Sequence, residues 1–468
     1  MAGIIVYNVA MKAKNYSCCT GMILGLIFLF YGIGIQTPLF ASPNGWHLLN
    51  VKMQDRKSGW AIANSRSGIG ILYTKDSGET WNNVSPKKFW PQSAQQIRYN
   101  YNSSYQNVAS FCTARDIWVC FVDVVAPSTG KSLVSTNLSS ASMAGLDAGK
   151  IEILHTENFG RRWVTDTFFV PRALGGGAAY LNFVDRQTGY LLATSSPAAG
   201  KAYSWIYRTR DSGLTWSKVY DNYPKFLRAD EAAKSKKHLD FVQDSQKLRG
   251  IVSSSPTGIV FKDKLSGWVG SFPGRSALAP LFHTVDGGAT WTIQPLLVPD
   301  NHGYGTMSIF PPEFFGNDHL SGILPTYFAD AKSEGCIFFS TSDGGKSWKA
   351  GAAINLHTEV SRLAYSFVNK NNGFAIDGTS RLICKTVDGG ITWTETKTEP
   401  PLGNSVFSLN SHHQLDFFDA NHGWCLYDVY DEKTHLLSNV LVMTQNGGKN
   451  WRRMYSSVQA SKGRGLFY

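Results

Sequence analysis

The 468-residue sequence is poor in cysteine and has no long run of basic residues. None of its seven cysteines shows the paired spacing of a zinc site, so no metal or other cofactor is expected. The formal net charge is +11, but no five consecutive residues are basic, which argues against nucleic-acid binding. A positive balance of this kind favours an acidic partner, such as an anionic polymer or an acidic protein surface.

Stretches that favour an α-helix are also nearly absent. Only residues 225–249 combine Ala, Lys and Glu without Gly or Pro, and we predict one helical insertion there. The same stretch is the most basic part of the chain. Its candidate binding patch consists of Lys225, Arg228, Lys234, Lys236 and Lys237. The alternative interpretation is an ordinary solvated helix face.

One eight-residue pattern, Thr-x-Asp/Asn-x-Gly-x-x-Trp, occurs seven times. Repetition of this kind indicates an array of similar units. Asp or Asn followed two residues later by Gly is typical of a tight turn, and the Trp offers a large ring to bury beside it. We therefore read each copy, called a box here, as a structural corner between two strands. The box residues are Asp76 and Trp81, Asn158 and Trp163, Asp211 and Trp216, Asp286 and Trp291, Asp343 and Trp348, Asp388 and Trp393, and Asn446 and Trp451.

A second corner pattern precedes most boxes. Asp or Asn is followed four residues later by Gly and then an aromatic residue, as in the stretch from Asp185 to Tyr190. Two corners per unit imply four antiparallel strands per unit, which is a propeller blade. We predict an all-β, seven-bladed β-propeller. Its blades cover approximately residues 46–86, 108–168, 180–221, 257–294, 307–352, 364–398 and 414–456.

The spacing between boxes varies because six insertions lengthen the chain between corners. Alternating strand direction places both corners of a blade on one face and the remaining loops on the other. All six insertions are predicted to fall on that other, elaborated face, where a rigid scaffold commonly holds binding loops. Harmless drift of loop length is the alternative. The insertions span residues 87–108, 123–150, 221–257, 294–307, 399–414 and 427–439.

Residues 1–41 have the features of an export signal. Lys12 and Lys14 precede an apolar run over residues 21–35, and Ala41 is a plausible cleavage point. An uncleaved membrane anchor is the alternative. We expect residues 42–468 to form one domain, a monomer that meets the membrane only through the N-terminal segment. Its expected location is extracellular or in the cell envelope.

Five cysteines follow the export segment. Cys112 and Cys120 bracket a predicted hairpin, and they would face each other if Asp116 were its pivot, so a disulfide between them is one possibility. The other three, Cys336, Cys384 and Cys425, lie singly in apolar strands and are predicted to be buried.

The boxes resemble the Asp-box (BNR) repeat of sialidases, sortilin-type receptors, xyloglucan-degrading glycosidases and the photosystem II stability/assembly factor family. Seven boxes on one exported domain look most like the last of these. That resemblance implies a non-catalytic scaffold that binds a protein at the outer side of the cytoplasmic membrane. It covers residues 46 to about 456. The box marks the fold and does not by itself assign a function.

A glycan-binding or glycoside-hydrolysing propeller is the alternative function, and a purely structural surface protein is the third. The Arg-Ile-Pro stretch of sialidases is missing, and no spacing pairs two carboxylates as a glycosidase requires. We expect no catalytic residue. Acidic residues predicted on the elaborated face are Asp123, Asp221, Asp300, Glu313, Asp318 and Asp428. A metal site formed by His302, His319, His412 and His413 is a weaker possibility.

Overall fold

The computed structural model describes residues 45–65, 68–87, 109–111, 115–124, 148–171, 179–195, 202–222, 251, 255–273, 279–299, 305–329, 333–355, 363–377, 382–397, 406–408, 415–431 and 436–460. All of these belong to one compact unit, Phe40–Tyr468. The predicted export segment and the predicted helical insertion at 225–249 lie outside these ranges. Among the residues described, no helix is long and apolar enough to cross a membrane.

Thirty β-strands account for the regular structure of the described ranges, and every pairing recorded between them is antiparallel. The first three blades each form a separate four-stranded sheet. Blade 1 contains β1 (His47–Met53), β2 (Gly59–Ser65), β3 (Gly68–Thr74) and β4 (Asn82–Asn83). Blade 2 contains β5 (Ala109–Phe111), β6 (Ile117–Val124), β7 (Ala148–Thr156) and β8 (Val164–Pro171). Blade 3 contains β9 (Ala179–Phe183), β10 (Gly189–Thr194), β11 (Ser204–Thr209) and β12 (Ser217–Asp221).

Blades 4 and 5 are joined into one nine-stranded sheet by a single pairing, Ser271 with Ile309. Blade 4 contains β13 (Pro256–Phe261), β14 (Gly267–Ser271), β15 (Leu281–Thr284) and β16 (Thr292–Gln294). Blade 5 contains β17 (Thr306–Ile309), β18 (Glu313–Phe315), β19 (Ser321–Ala329), β20 (Glu334–Thr341) and β21 (Lys349–Asn355). Its innermost strand is split into β17 and β18, which both pair with β19.

Blades 6 and 7 complete the set of sheets. Blade 6 contains β22 (Leu363–Phe367), β23 (Gly373–Asp377), β24 (Leu382–Thr386) and β25 (Thr394–Lys397). Blade 7 contains β26 (Val406–Ser408), β27 (Leu415–Phe417), β28 (Gly423–Asp431), β29 (Leu436–Thr444) and β30 (Arg452–Ala460). Here too the inner strand is split, since β26 and β27 both pair with β28. The all-β prediction is confirmed, and the number of four-stranded units agrees with seven blades.

Each box folds into the same hydrogen-bonded turn. In the fourth box, Thr284 Oγ1 donates to Asp286 Oδ1 at 2.8 Å and accepts from the Gly288 N–H at 3.1 Å. The other carboxylate oxygen, Asp286 Oδ2, accepts from the Thr290 hydroxyl at 2.6 Å. Trp291 Nε1–H donates to the Gly288 carbonyl at 3.0 Å. The Thr-to-Asp/Asn contact recurs at Asp76, Asn158, Asp211, Asp343, Asp388 and Asn446.

The box glycine is required for two separate reasons. Gly345 has a φ of 82°, in the left-handed region that side chains with a Cβ rarely adopt. A Cβ on Gly345 would also lie 2.6 Å from the ring of Trp268 in the preceding blade. The turn therefore packs its bare backbone against the neighbouring blade, and a larger residue would push the two blades apart.

The box carboxylates are ionised more readily than ordinary aspartates. Burial alone would raise their pKa, but hydrogen bonds from the flanking hydroxyl and backbone groups outweigh it. The net effect lowers the pKa of Asp343 to about 2. The pKa of four further box acids is also lowered: Asp76, Asp211, Asp286 and Asp388.

We expect Asp343→Asn to destabilise the fold at neutral pH and to have a much smaller effect in acid. A carboxyl whose folded pKa is lowered stabilises the fold above its unfolded pKa, near 3.8, and loses that contribution as the pH falls through about 2. Because solvent screens this site, the expected loss at pH 7 is about 1 kcal/mol or less. Denaturation from pH 7 to pH 2.5 measures it. The control Asn446→Ala, in an uncharged box, should show no such trend, and a pH-independent Asp343→Asn effect would contradict the expectation.

Both corners of each blade lie on one face, because the box turn bonds directly to the first turn of its own blade. In blade 4 the Gly287 N–H donates to the Leu265 carbonyl at 2.9 Å. The same bond links Ser77 to Lys57, Phe159 to Arg115, Ser212 to Gln187, Gly344 to Leu320, Gly389 to Asn371 and Gly447 to Asn421.

Two residues predicted on the elaborated face lie on the box face instead. Asp318 and His319 belong to the turn between β18 and β19, which is the first corner of blade 5. The prediction was wrong because this corner lacks the usual Asp-to-Gly-aromatic pattern. Without that pattern the sequence does not show which residues form the turn, in which His319 has a φ of 49°.

The insertion at 427–439 prolongs a hairpin. Strands β28 and β29 continue through it, with Tyr427 opposite Val440 and Asp431 opposite Leu436. The predicted insertion at 399–414 likewise contains β26, which pairs with the far end of β28. Blade 7 is therefore longer than its corner pattern indicates.

The predicted disulfide is not formed in the structure. Cys120 is a free, buried thiol, and Cys112 lies outside the described ranges. The strand register sets Phe111 opposite Ile117, so the hairpin turns about a point two residues before Asp116. The other three cysteines are buried as predicted: Cys336, Cys384 and Cys425.

The apolar core is divided among the interfaces between blades. Seven buried clusters occur in the described ranges, and each contains residues from two adjoining blades. One of them joins the first blade to the last, with Leu48 and Trp81 packed together with Trp424 and Leu441. The ring is therefore closed by side-chain packing, since each blade uses only its own consecutive strands.

Asn439 is the polar centre of this closing interface, which we call the seam. It is 2% exposed, and its Oδ1 accepts from the Leu48 N–H at 2.8 Å. Its Nδ2–H groups donate to the Leu48 carbonyl at 3.2 Å and to Asp428 Oδ1 at 2.8 Å. Within the described part of the chain, no strand pairing joins blades 1 and 7, and the Asn439 amide provides hydrogen bonds across the seam in its place. Tyr455 adds a hydrogen bond from its hydroxyl to the Trp46 carbonyl at 2.7 Å.

Candidate binding site at the propeller axis

The first strands of adjoining blades contact one another, as β9 does with β5 and β13, and β27 with β22 and β1. These strands therefore line the axis. The strand registers identify one equivalent axial position on the inner strand of each blade. The residue there pairs with the second residue of the neighbouring strand, except in blade 5, where it pairs with the third residue of β19. The axial residues, in blade order, are Lys52, Ser110, Asn182, Val260, Glu313, Ser366 and Asp416.

Polar axial residues fasten one blade to the next. At four junctions, the side chain accepts a hydrogen bond from the backbone N–H that follows the axial position of the next blade. Asn182 Oδ1 accepts from Phe261 at 2.9 Å, and Asp416 Oδ2 accepts from Met53 at 2.7 Å. The other two acceptors are Ser110, bonded to Phe183, and Ser366, bonded to Phe417. These four axial side chains are therefore structural, because each ties its own blade to the next.

A cavity of about 280 Å³ lies among these positions, and six of the seven axial residues line it. Its wall also contains apolar side chains, among them Phe310, Pro311 and Pro312, which connect the two halves of the split inner strand of blade 5. The fold thus places charged groups against a rigid apolar wall, as in many ligand sites.

Three charged residues meet in the cavity. Lys52 Nζ donates to Asp416 Oδ1 at 2.6 Å, so both oxygens of Asp416 are engaged. Within the described ranges the side chain of Glu313 forms no hydrogen bond or ion pair, although its pKa responds to the charges of Lys52 and Asp416. One cation and two carboxylates leave the cavity with an acidic excess.

The charged groups in the cavity change one another's pKa, and burial changes them further. Burial, with help from the Asp416 charge, raises the pKa of Glu313 to about 7 against the opposing effect of Lys52. Burial would lower the pKa of Lys52, but the carboxylates of Asp416 and Glu313 outweigh it and raise it. Glu313 is nonetheless exposed to solvent where it lines the cavity. Water in the cavity limits how far burial raises the pKa of Glu313.

The structure does not group the acids considered from the sequence. Asp221 pairs with Lys218 at 2.5 Å at the end of β12, and Asp428 is buried beside Asn439 in the seam. Of the acids whose side chains are described, only Glu313 reaches the axial cavity, where its neighbour is Asp416, a residue that we did not single out from the sequence. Of Asp123 only the backbone is described. Asp300, His302, His412, His413 and the basic patch (Lys225, Arg228, Lys234, Lys236 and Lys237) lie outside the described ranges.

We did not predict the axial positions from the sequence, although the repeat contains a pattern that marks them. In the regular blades, the axial residue stands three positions before the corner Asp or Asn, as Lys52 does before Asp55 and Asp416 before Asp419. Alignment of the corners would expose this column of varied, mostly polar residues. Among the described residues, no group of three or more His, Cys, Asp or Glu is arranged to hold a metal ion.

These features define the class of molecule. The chain is a β-propeller built from Asp-box repeats, with an acidic cavity at its axis. No protein-family model matches its sequence.

Two curated proteins are similar to parts of the chain, and both are photosystem II assembly lipoproteins named Ycf48. The one from Prochlorococcus marinus is 43% identical over 68 residues, which are 14% of this chain and 19% of the relative. The one from a Synechococcus strain is 30% identical over 122 residues, or 26% of this chain and 31% of the relative. The chain thus spans less than a third of the length of the curated relatives it matches.

Solved structures of similar chains include Ycf48 bound to a D1 peptide, at 13% identity and a TM-score of 0.34, covering 89% of this chain and 83% of that one. A xyloglucanase from Xanthomonas campestris has 13% identity and a TM-score of 0.47, covering 87% of this chain and 67% of the enzyme. At these identities, neither resemblance assigns a function to this chain.

Proposed function

We propose that this chain is an exported, non-catalytic, monomeric propeller that binds a protein partner and serves as an assembly scaffold at the outer side of the cytoplasmic membrane. The observation that carries the proposal is the chemistry of the axial cavity. Asp416 is engaged by Lys52 and by the Met53 N–H, so one exposed carboxylate, Glu313, is left to meet a ligand. A rigid site with one available charge suits recognition. The similarity to photosystem II assembly lipoproteins supports a protein as the ligand.

The basic patch on the predicted helical insertion is a second part of the proposal. Its lysines would meet an acidic surface of the partner or an acidic polymer, which a net charge of +11 favours. The triple variant Lys234→Ala, Lys236→Ala, Lys237→Ala removes this charge without touching any blade strand.

The full chain, used as bait on the native membrane fraction, tests the proposal. We expect one or a few proteins to be enriched reproducibly and to be identified by mass spectrometry, with recovery reduced at least several-fold for the triple variant. The Trp216→Ala chain, altered on the box face, should retain them. Failure to enrich any protein over an unrelated propeller overturns the proposed function, and unchanged recovery by the triple variant removes the patch from it.

Glycoside hydrolysis is the second candidate function, because Glu313 and Asp416 line the same cavity. A carboxyl with a pKa near 7 is suited to act as a general acid, and glycosidases use such a group with a second carboxylate. The two bonds that engage Asp416 weigh against this role. Purified chain assayed on a panel of aryl glycosides distinguishes the candidates. Turnover that Glu313→Gln abolishes would establish the enzyme and overturn the scaffold proposal.

A further inference from the structure

We infer that the axial cavity receives an alkylammonium group, the side chain of a lysine on the partner protein, with Glu313 as its counter-ion. This inference deepens the proposed function and rests on it, since it specifies the chemistry by which the partner would be recognised. It concerns a different surface from the basic patch.

The axial positions show why Glu313 is the group available for binding. Among the acidic and neutral polar members of the ring, Ser110, Asn182, Ser366 and Asp416 are used to fasten blades together. Glu313 occupies the same position in blade 5 but forms no such bond within the described part of the chain. Its carboxylate is therefore held at the axis without a structural partner.

The charge balance favours a cation. Lys52 lies 2.6 Å from Asp416, and that pair is neutral as a whole. The charge of Glu313 remains uncompensated when it is ionised. An anionic ligand would have to displace Lys52 from Asp416 and approach Glu313, whereas an ammonium group gains a charge-assisted contact without breaking any bond.

The cavity wall suits the stem of a lysine. Phe310, Pro311, Pro312 and Val260 line the same cavity as Glu313 and give it apolar surface. Lysine buries its methylene stem against such surfaces while keeping its charged end at a polar group. The volume of about 280 Å³ is enough for one long side chain and too small for a folded element.

The site also implies a dependence on pH. The surroundings raise the pKa of Glu313 above the ordinary carboxyl range, so its charge, and with it the affinity for a cation, should increase from pH 6 to pH 8. The charged groups facing it are Lys52 on β1 and Asp416 on β27, which remain paired with each other. Tyr365 on β22 stays neutral in this range, because burial raises its pKa well above the ordinary value.

Two short peptides that differ only in the charged group test the inference: acetyl-Gly-Ser-Lys-Ser-Gly-amide and the same peptide with norleucine in place of lysine. Calorimetric titration of the full chain at pH 8 should show binding of the lysine peptide, and binding at least tenfold weaker for the norleucine peptide. Glu313→Gln should weaken the lysine peptide at least tenfold. The matched control Glu395→Gln removes an exposed carboxylate on β25, outside the cavity, and should bind as the wild type does.

Equal binding of the two peptides, or an unchanged affinity in Glu313→Gln, would overturn the inference. The wild-type chain at pH 6 provides a measurement that needs no variant, and an affinity equal to that at pH 8 would also count against it. A partner recovered equally well by wild type and Glu313→Gln would leave the proposed function in place while removing the axial lysine from it.

Discussion

Replacement of Trp291 by alanine is expected to lower the free energy of unfolding by about 3–5 kcal/mol. The ring is 1% exposed and packs against Phe261 with 6.0 Å between ring centroids, in the cluster shared by blades 3 and 4. Its removal deletes a large apolar surface and leaves a cavity between two rigid sheets that cannot collapse. Urea denaturation monitored by circular dichroism measures the change.

Trp216→Ala is the matched control for this variant. Trp216 occupies the same box position, and its Nε1–H also bonds the box glycine carbonyl, at 3.1 Å, but the ring is only partly buried. We expect a distinctly smaller loss. Equal losses at the two sites would show that the box bonds and not the depth of burial determine the stability of the corner.

We expect Asn439→Ala in the seam to lower the free energy of unfolding as much as Trp291→Ala does, although it removes a much smaller side chain. Asn439→Ala removes the partners of the Leu48 N–H and carbonyl and one partner of Asp428 in a buried interface. Buried polar groups left without hydrogen bonds cost about 1–3 kcal/mol each, so we expect a total loss of about 3–5 kcal/mol. Thermal and urea denaturation measure it.

Asn82→Ala provides the comparison, since Asn82 is an exposed residue on the edge strand β4, and the change should cost little. A loss below about 1 kcal/mol for Asn439→Ala would mean that water takes over its bonds and that apolar packing alone closes the ring.

The corners of this fold were predictable because their residues act locally. Thr284, Asp286 and Gly288 form their turn through bonds within five residues, so the sequence alone determines it. Such short-range chemistry predicts the all-β class and the common face of both corners. The turn containing His319 was mislocated because this first corner of blade 5 lacks the Asp-to-Gly-aromatic pattern of the other first corners.

The axial site could not be predicted in the same way. Lys52 and Asp416 are 364 residues apart in sequence and meet only because the first blade closes on the last. Glu313 joins them from blade 5, where the inner strand is split and the corner pattern is degenerate. Contacts that depend on ring closure produce no characteristic spacing in the sequence. The axial residues themselves could still be found by aligning the first corners of the blades.

The seam has a consequence for how the molecule opens. Adjoining blades elsewhere in the ring are tethered by the chain itself, whereas blades 1 and 7 are held by packing, hydrogen bonds and the Lys52–Asp416 ion pair. A transient separation at that point breaks no strand ladder and leaves the strand pairing within every blade intact. Partial unfolding should therefore begin with the reversible separation of blade 1 from blade 7. Native-state hydrogen exchange would reveal it as early loss of protection at the Leu48 and Met53 amides.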